Sequence, residues 1–463
     1  MADNQSIAKS GLEFGRERDS HGREPEPNTA PTAHAIGATA GRMRASQSGA
    51  SQKDMVHVVA RTLAAWRERN FSLRRATVAA IATAWGYSEP LLDASFDALL
   101  EPFTDNALAS FATNYFSQRP PDSRLIVGMI MPGNLPGAGI HEVLIALLSG
   151  VAVILKTSAA EPIFFASFAR TLREFSGTVG ERIAVFNWSR DRADLTRALC
   201  TDCDWLAAFG GDDTLASLAV ANDLSAGKTR GNGRISSSTL KAGFGLRFSG
   251  AYVSMDAATG PDRVETAQAL ARDISLFEQA GCLSPHHVFV EDEGDSAQAK
   301  SIECPIATAR TFAAELAAAL DCLAGAVPPP RRLGLEAAAG VRRARETARW
   351  RGLGGEPVRL WEGRGLCWTV IYDEKAQFTP SPGFRTVTVS PVTHPGDLAH
   401  RLEPVAGRIE AFALAGASEP LGRVRQCLIE RGASWLCAPG AMQSPPLNWR
   451  HGGGIFLDTL LNE

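Results

Sequence analysis

Cys282 sits in the run Phe277-Glu278-Gln279-Ala280-Gly281-Cys282-Leu283-Ser284-Pro285, just ahead of an apolar strand from His286 to Glu291. A cysteine carried on a Gly/Ser/Pro loop can be exposed and its thiolate stabilised, as a covalent nucleophile requires. The other seven cysteines, Cys200, Cys203, Cys304, Cys322, Cys367, Cys427 and Cys437, fall in apolar or helical contexts and read as packing residues. Cys200 and Cys203 have C-x-x-C spacing, which could mark a redox pair or half a zinc site. No second pair and no H-x3-H partner accompany them, so two packed cysteines are the better reading, and no metal site is expected.

Three more motifs lie just after apolar strands. In Met131-Pro132-Gly133-Asn134-Leu135-Pro136-Gly137, Asn134 offers an amide donor that could stabilise an oxyanion, or it is a turn residue bonding its own backbone. In Lys156-Thr157-Ser158, Lys156 and Ser158 could meet the ribose or phosphate of a cofactor, or be a strand-end lysine beside a helix N-cap serine. In Phe209-Gly210-Gly211-Asp212-Asp213-Thr214, paired glycines before a helix would let a ligand approach the backbone. That run is not the G-x-G-x-x-G fingerprint, and a plain turn with an Asp N-cap is the alternative. Taken one at a time, each motif favours its structural alternative; their order and spacing are what give them weight.

These motifs need a scaffold that brings strand ends together. The chain has 463 residues, 45% hydrophobic and 21% charged, enough for two or three packed domains. A net charge of −3 gives no basic excess for a nucleic-acid partner. The apolar region Leu125–Leu155 is broken by Pro132, Pro136, His141 and Glu142, and reads as strand, turn, helix and strand, not as a membrane span. Scattered cysteines without a secretory apolar segment predict a reduced, cytoplasmic protein. Met1 to about Ser51 is rich in Ser, Ala, Gly, Arg, Glu and Pro and is expected to be disordered. Val58, Val59, Leu63 and Trp66 then recur at helical spacing. From Leu125, strands alternate with helices: Leu125–Ile130, Val151–Lys156, Arg182–Phe186, Trp205–Phe209 and Tyr252–Met255, then His287–Val290, Cys367–Tyr372, Arg385–Val389, Ala411–Leu414 and Trp435–Cys437. Such alternation predicts an α/β fold with two parallel-sheet domains and an N-terminal helical segment. The expected divisions are a disordered tail 1–52, helices and a cofactor-binding domain 53–262, a catalytic domain 263–440 and a C-terminal segment 441–463. Ligands should sit at the carboxyl ends of the strands.

The succession P-x-N, K-x-S, F-x-G and Q-x-x-C, from Met55 to the C-terminus, resembles the aldehyde dehydrogenase superfamily. Within it the chain looks most like the LuxC-type acyl-CoA reductases. The supporting residues are Gly133 to Gly137, Gly243 through Arg247-Phe248-Ser249, Asp273 through Pro285, and the tail Trp449-Arg450-His451-Gly452-Gly453. The resemblance implies an aldehyde dehydrogenase-like fold, Cys282 as nucleophile, Asn134 in an oxyanion hole, and a nicotinamide cofactor. Lys156 and Ser158 would meet its adenosine ribose, and Gly210, Gly211 and Asp212 would lie beside it.

Two superfamily features are missing. Where hydrolytic relatives carry an acid that activates water, the chain has Ala242-Gly243-Phe244-Gly245-Leu246. Where they carry an acid that holds the nicotinamide ribose, it has Val387-Thr388-Val389-Ser390-Pro391. Without an activated water, an acyl-cysteine persists until a thiol or a hydride arrives. That suits NAD(P)H-dependent reduction of an acyl-CoA thioester, a fatty acyl one, to aldehyde, with an acyl-protein thioester as another substrate and an acyl-transferring enzyme as a partner. Ala159 in place of an acid leaves room for a 2′-phosphate and favours NADPH over NADH. Relatives of this kind form homo-oligomers. His141, His286, His287 and His451 are candidate proton donors, although a structural or surface role suits each of them better. The rival readings are a hydrolytic aldehyde or semialdehyde dehydrogenase and a non-catalytic acyl-channelling scaffold.

Overall fold

The computed structural model describes residues 31–46, 51–118, 120–223, 228–229, 235–236, 239–292 and 308–462. Strands β1 (Ile126–Ile130), β2 (Ala152–Thr157), β3 (Ile183–Asn187), β4 (Trp205–Phe209) and β7 (Thr239–Phe244) form one parallel sheet in the order β3-β2-β1-β4-β7. A two-residue pair, β5 (Lys228–Thr229) and β6 (Ile235–Ser236), lies between β4 and β7 in the chain. The second sheet has seven strands: β8 (Phe248–Val253), β9 (Pro285–Glu291), β10 (Val358–Glu362), β11 (Thr369–Asp373), β12 (Thr386–Val392), β13 (Ile409–Ala415) and β14 (Trp435–Cys437). Their order is β10-β11-β12-β9-β8-β13-β14, and only β10 runs antiparallel to its neighbour.

Both sheets are covered on both faces, which is why every residue of β1 and β13 is buried and β1 reads as an unbroken apolar run. One face of the first sheet packs on the helices Gln52–Arg67, Ile140–Leu148 and Phe164–Phe175 through Trp66, Leu144 and Phe168. The other face packs on Leu195, Leu199 and Cys200 of the helix Ala193–Asp202. The second sheet is sandwiched between a cluster around Leu270, Phe312 and Leu316 and another around Leu398, Leu421 and Leu428.

Two expectations need correction. Residues 33–45 are not disordered. Thr32 caps a helix Ala33–Ala45, and Ile36, Ala40 and Met43, at helical spacing, are buried against the helix that carries Leu195 and Leu199. Arg44 reaches the Asp202 carbonyl and pairs with Asp204 at 3.0 Å. The rest of the expected tail, residues 1–30 and 47–50, lies outside the described residues, as does Cys304. Second, β8 belongs to the second sheet, between β9 and β13, so the sheet change falls between Phe244 and Phe248 instead of near residue 262. Consecutive apolar strands carry no local mark of which sheet they join. The C-terminal segment packs on the first sheet: Phe456, Leu457 and Leu460 enter its core beside Trp205.

Candidate active site

Phe277, Glu278 and Gln279, immediately before the nucleophile loop, have φ of 52°, 53° and 63°. Left-handed backbone in successive non-glycine residues is costly and persists only where its surroundings enforce it. Here they do. Phe277 N donates to Ser95 Oγ (3.0 Å), Phe384 N to the Glu278 carbonyl (3.0 Å), and Thr386 N to Gln279 Oε1 (2.9 Å). Gln279 Nε2 donates to the carbonyls of Pro285 (2.7 Å) and Thr386 (2.8 Å), while Arg385 Nε donates to Glu278 Oε1 (3.0 Å) with both side chains buried. Ser249 Oγ then donates to the Cys282 carbonyl at 2.6 Å. Cys282 emerges half-buried from this frame.

The loop after β1 closes on it. Asn134 Nδ2 donates to the Ala280 carbonyl at 2.7 Å, so Asn134 ties its loop to the cysteine loop. Gly281 packs close to that loop: a Cβ there would stand 2.9 Å from Leu135 Cδ2 and would push that side chain aside. Lys156 is near the end of β2 and Ser158 just beyond it. Ser158 Oγ accepts from Ala160 N (3.2 Å), and Asn187 Nδ2 holds the Ser158 carbonyl at 2.9 Å.

These loops surround one cavity of about 840 Å³. Cys282, Asn134, Lys156, Ser158, Gly210 and Gly211 all line it, so four separate stretches of sequence meet there. Asp212 does not line it. The helix Asp212–Asp223 turns that carboxylate out towards Arg408 (3.2 Å), and Asp213 faces the cavity instead. Among the described residues no group of three or more His, Cys, Asp or Glu could hold a metal ion, and no helix is long and apolar enough to cross a membrane.

Sequence reasoning passed over two sets of residues. Arg190 and Arg197 line the Lys156 end, and burial and then the charge of Arg190 push the Lys156 ammonium below its ordinary value. Their signal was only two arginines beyond β3. Glu142 was treated as a break in an apolar run, yet its carboxylate lies 2.8 Å from Nδ1 of His451, which lines the cavity beside Cys282. The remaining histidines are committed elsewhere. His141 Nε2 donates to the Pro445 carbonyl (2.9 Å), and burial pushes the ring down to about 4. His286 Nδ1 accepts from Ser381 N (2.8 Å), with the ring pushed down by burial to about 4. His287 bonds Ser390 Oγ (2.9 Å) and is pushed by burial to about 3. The other described cysteines agree with a packing role in part: Cys200, Cys203, Cys427 and Cys437 are buried, while Cys367 is half-buried and Cys322 exposed.

Residues 49–463 match the model of the family described as acyl-CoA reductase (LuxC). No curated protein matches the chain. Among solved structures, an oxidoreductase from Marinobacter aquaeolei is similar with a TM-score of 0.65 at 13% identity, over 94% of this chain and 88% of that one. An NAD-dependent benzaldehyde dehydrogenase from Corynebacterium glutamicum gives 0.63 at 15% identity, over 96% and 92%. An aldehyde dehydrogenase from Bacillus cereus in complex with NAD+ gives 0.59 at 15% identity, over 89% and 82%. The fold is therefore the aldehyde dehydrogenase-like one that the motifs implied.

Proposed function

The chain belongs to the acyl-CoA reductase (LuxC) family, and we propose that it reduces fatty acyl-CoA to aldehyde with NADPH, carrying the acyl group on Cys282. One observation carries the thioester reading over hydrolysis. The cavity wall formed by Phe244, Gly245 and Leu246 holds no acid, and the carboxylate of Glu142 is engaged by His451. Among the described residues that line the cavity the one remaining acid is Asp213, beside Gly211, so no carboxylate stands on that wall to activate water and the acyl-cysteine outlives its formation. Asn134 contributes an amide to the oxyanion formed when the sulfur attacks; its tie to Ala280 fixes it relative to that sulfur.

The cavity fits a dinucleotide. Gly210 and Gly211 leave backbone exposed at the end of β4, and a Cβ on Gly211 would meet nothing within 4 Å. Lys156, Arg190 and Arg197 gather positive charge at the other end, and among the described residues neither arginine has a carboxylate within ion-pair distance. An unneutralised cluster of this kind favours a phosphate, and with Ala159 where an acid would exclude it, the 2′-phosphate of NADPH is the ligand group it suits. When bound, the reduced nicotinamide supplies the hydride that discharges the acyl group as aldehyde.

The test is intact-protein mass spectrometry after mixing with a fatty acyl-CoA and no reduced cofactor. A stable acyl adduct should form, Cys282→Ala should abolish it, and Cys322→Ala should not. With no carboxylate on that wall to activate water, the adduct should outlast that of a hydrolytic relative. NADPH should release aldehyde, and CoA should return thioester. Rapid release of free acid with no adduct would replace this reading with the hydrolytic one.

A further inference from the structure

His451 is built into the site more firmly than any surface histidine. Its Nδ1 is 2.8 Å from Glu142 Oε1, and the ring lines the same cavity as Cys282. The ring is sandwiched between Phe244 (centroids 4.5 Å apart, planes at 28°) and Trp449 (4.3 Å, 21°), leaving 15% of the side chain exposed. The backbone on either side is pinned as well: Arg247 Nη2 donates to the Gly452 carbonyl, and Gly452 N to Glu410 Oε1.

Glu142 supplies the second observation. It is 2% exposed, and its Oε2 has no hydrogen-bond partner. A carboxylate that deeply buried must be neutralised or face a cation. His141 beside it is neutral and donates to Pro445, and the guanidinium of Arg247 serves the carbonyls of Ile409 and Gly452 and the carboxylate of Glu410. His451 is the group left to answer it. Two aromatic faces further favour a cationic ring. Burial alone would disfavour the imidazolium, but the charge of Glu142 and the proximity of Cys282 and Glu142 as acceptors hold it well above the ordinary range for histidine.

From this geometry we infer that His451 is the acid–base partner of Cys282 and that Glu142 is a positioning residue that fixes its orientation and charge. The inference rests on the thioester reading for its substrate, but not for its test. Before attack, the Cys282 thiol proton passes to His451 Nε2, leaving a thiolate beside an imidazolium. The thiolate bonds to the thioester carbonyl carbon and the carbonyl electron pair moves to oxygen. Collapse breaks the bond to the CoA sulfur, and that sulfur takes the proton from Nε2 and departs as a thiol. No proton is gained or lost over the acylation, and His451 returns to neutral. Glu142 keeps Nδ1 donating throughout, so that Nε2 faces sulfur, as the third group of a nucleophile–base–orienter set does.

The test reads Cys282 itself, without cofactor or acyl-CoA. Iodoacetamide alkylation is followed by mass spectrometry on the Cys282 peptide from pH 5.5 to 9.5, in wild type, His451→Gln and Glu142→Gln, each checked for an unchanged Tm. In wild type the rate should stay high well below pH 7. In both variants it should fall at least about tenfold at pH 6.5 and converge with wild type near pH 9.5, as expected of an ordinary thiol with a pKa of about 8.5. A wild-type profile that already rises only near pH 8.5 overturns the inference even if neither variant folds, and so does an His451→Gln profile that overlays wild type. Failure to form the acyl adduct in wild type would sink the thioester reading alone, since the alkylation profile still decides the role of His451.

Discussion

Gly133→Ala should damage both stability and turnover, and the structure sets the size. A Cβ on residue 133 would lie 2.2 Å from Ser158 Oγ and 2.6 Å from Ser158 Cβ. Rotating Ser158 about χ1 can remove Oγ, but Cβ is fixed to a backbone held by Asn187. Because carbon atoms rest about 3.5–4.0 Å apart, the loop after β1 and the end of β2 must separate by roughly 1 Å. Overpacking of this kind costs about 1–3 kcal/mol. The displaced loop carries Asn134, and the strand end carries Lys156. A 1 Å misplacement at a reacting centre can cost about 10²-fold in rate. Thermal unfolding and kcat/KM for an acyl-CoA are the two readouts. Ser158→Gly in the same chain removes both offending atoms and should recover most of the lost Tm. Unchanged Tm and turnover in Gly133→Ala, or no recovery in the double variant, would refute the close approach of these two loops.

Asn134→Ala should slow acylation by about 2.7–4 kcal/mol while leaving KM nearly unchanged, as other oxyanion-hole deletions do; a rise in KM alone, measured in single-turnover and steady-state assays, would make Asn134 only a loop tie. Arg190→Ala should weaken NADPH by about 1.5–3 kcal/mol, the value of a hydrogen bond to a charged group, and leave NADH little affected; equal loss for both cofactors in a binding titration would remove the 2′-phosphate assignment. Ile36→Ala, with its side chain fully buried under the helix Ala193–Asp202, should cost about 2–5 kcal/mol in chemical denaturation. Deletion through residue 46 should therefore lower the Tm, and an unchanged Tm would show that the helix Ala33–Ala45 does not dock.

Much of the fold is legible in the chain. The alternation of apolar strands and amphipathic helices predicts two parallel sheets, and Trp205–Phe209 and Trp435–Cys437 are strands over the residues expected. Strand edges elsewhere differ by a few residues, because hydrogen bonding to neighbours, not local propensity, ends a strand. Tyr252–Met255 becomes Phe248–Val253 for that reason: Phe248 to Val253 is the stretch that finds β9 and β13, whereas Met255 begins a helix. The helix Ala33–Ala45 escaped notice because its apolar residues, Ile36, Ala40 and Met43, are few and partly small. Their worth comes from the surface that receives them.

The site divides in the same way. Cys282, Asn134, Lys156 and the glycines after β4 carry local signals, since a loop nucleophile, a strand-end amide and a paired-glycine turn must be written in contiguous residues. Arg190 and Glu142 carry none, and His451 is marked only by the tail motif and as one of four candidate histidines. An acid inside the helix Ile140–Leu148 looks like an interruption of its apolar face. They meet only because Asp273 fixes Gly440 N and Met442 N, Gln443 bonds Ser284, and the final helix docks on the first sheet, carrying the C-terminal segment across both sheets. Sequence alone determined the chemistry each loop could offer. Tertiary structure decided which charge faces which, because the fate of a buried carboxylate depends on partners hundreds of residues away and on the water that their packing excludes.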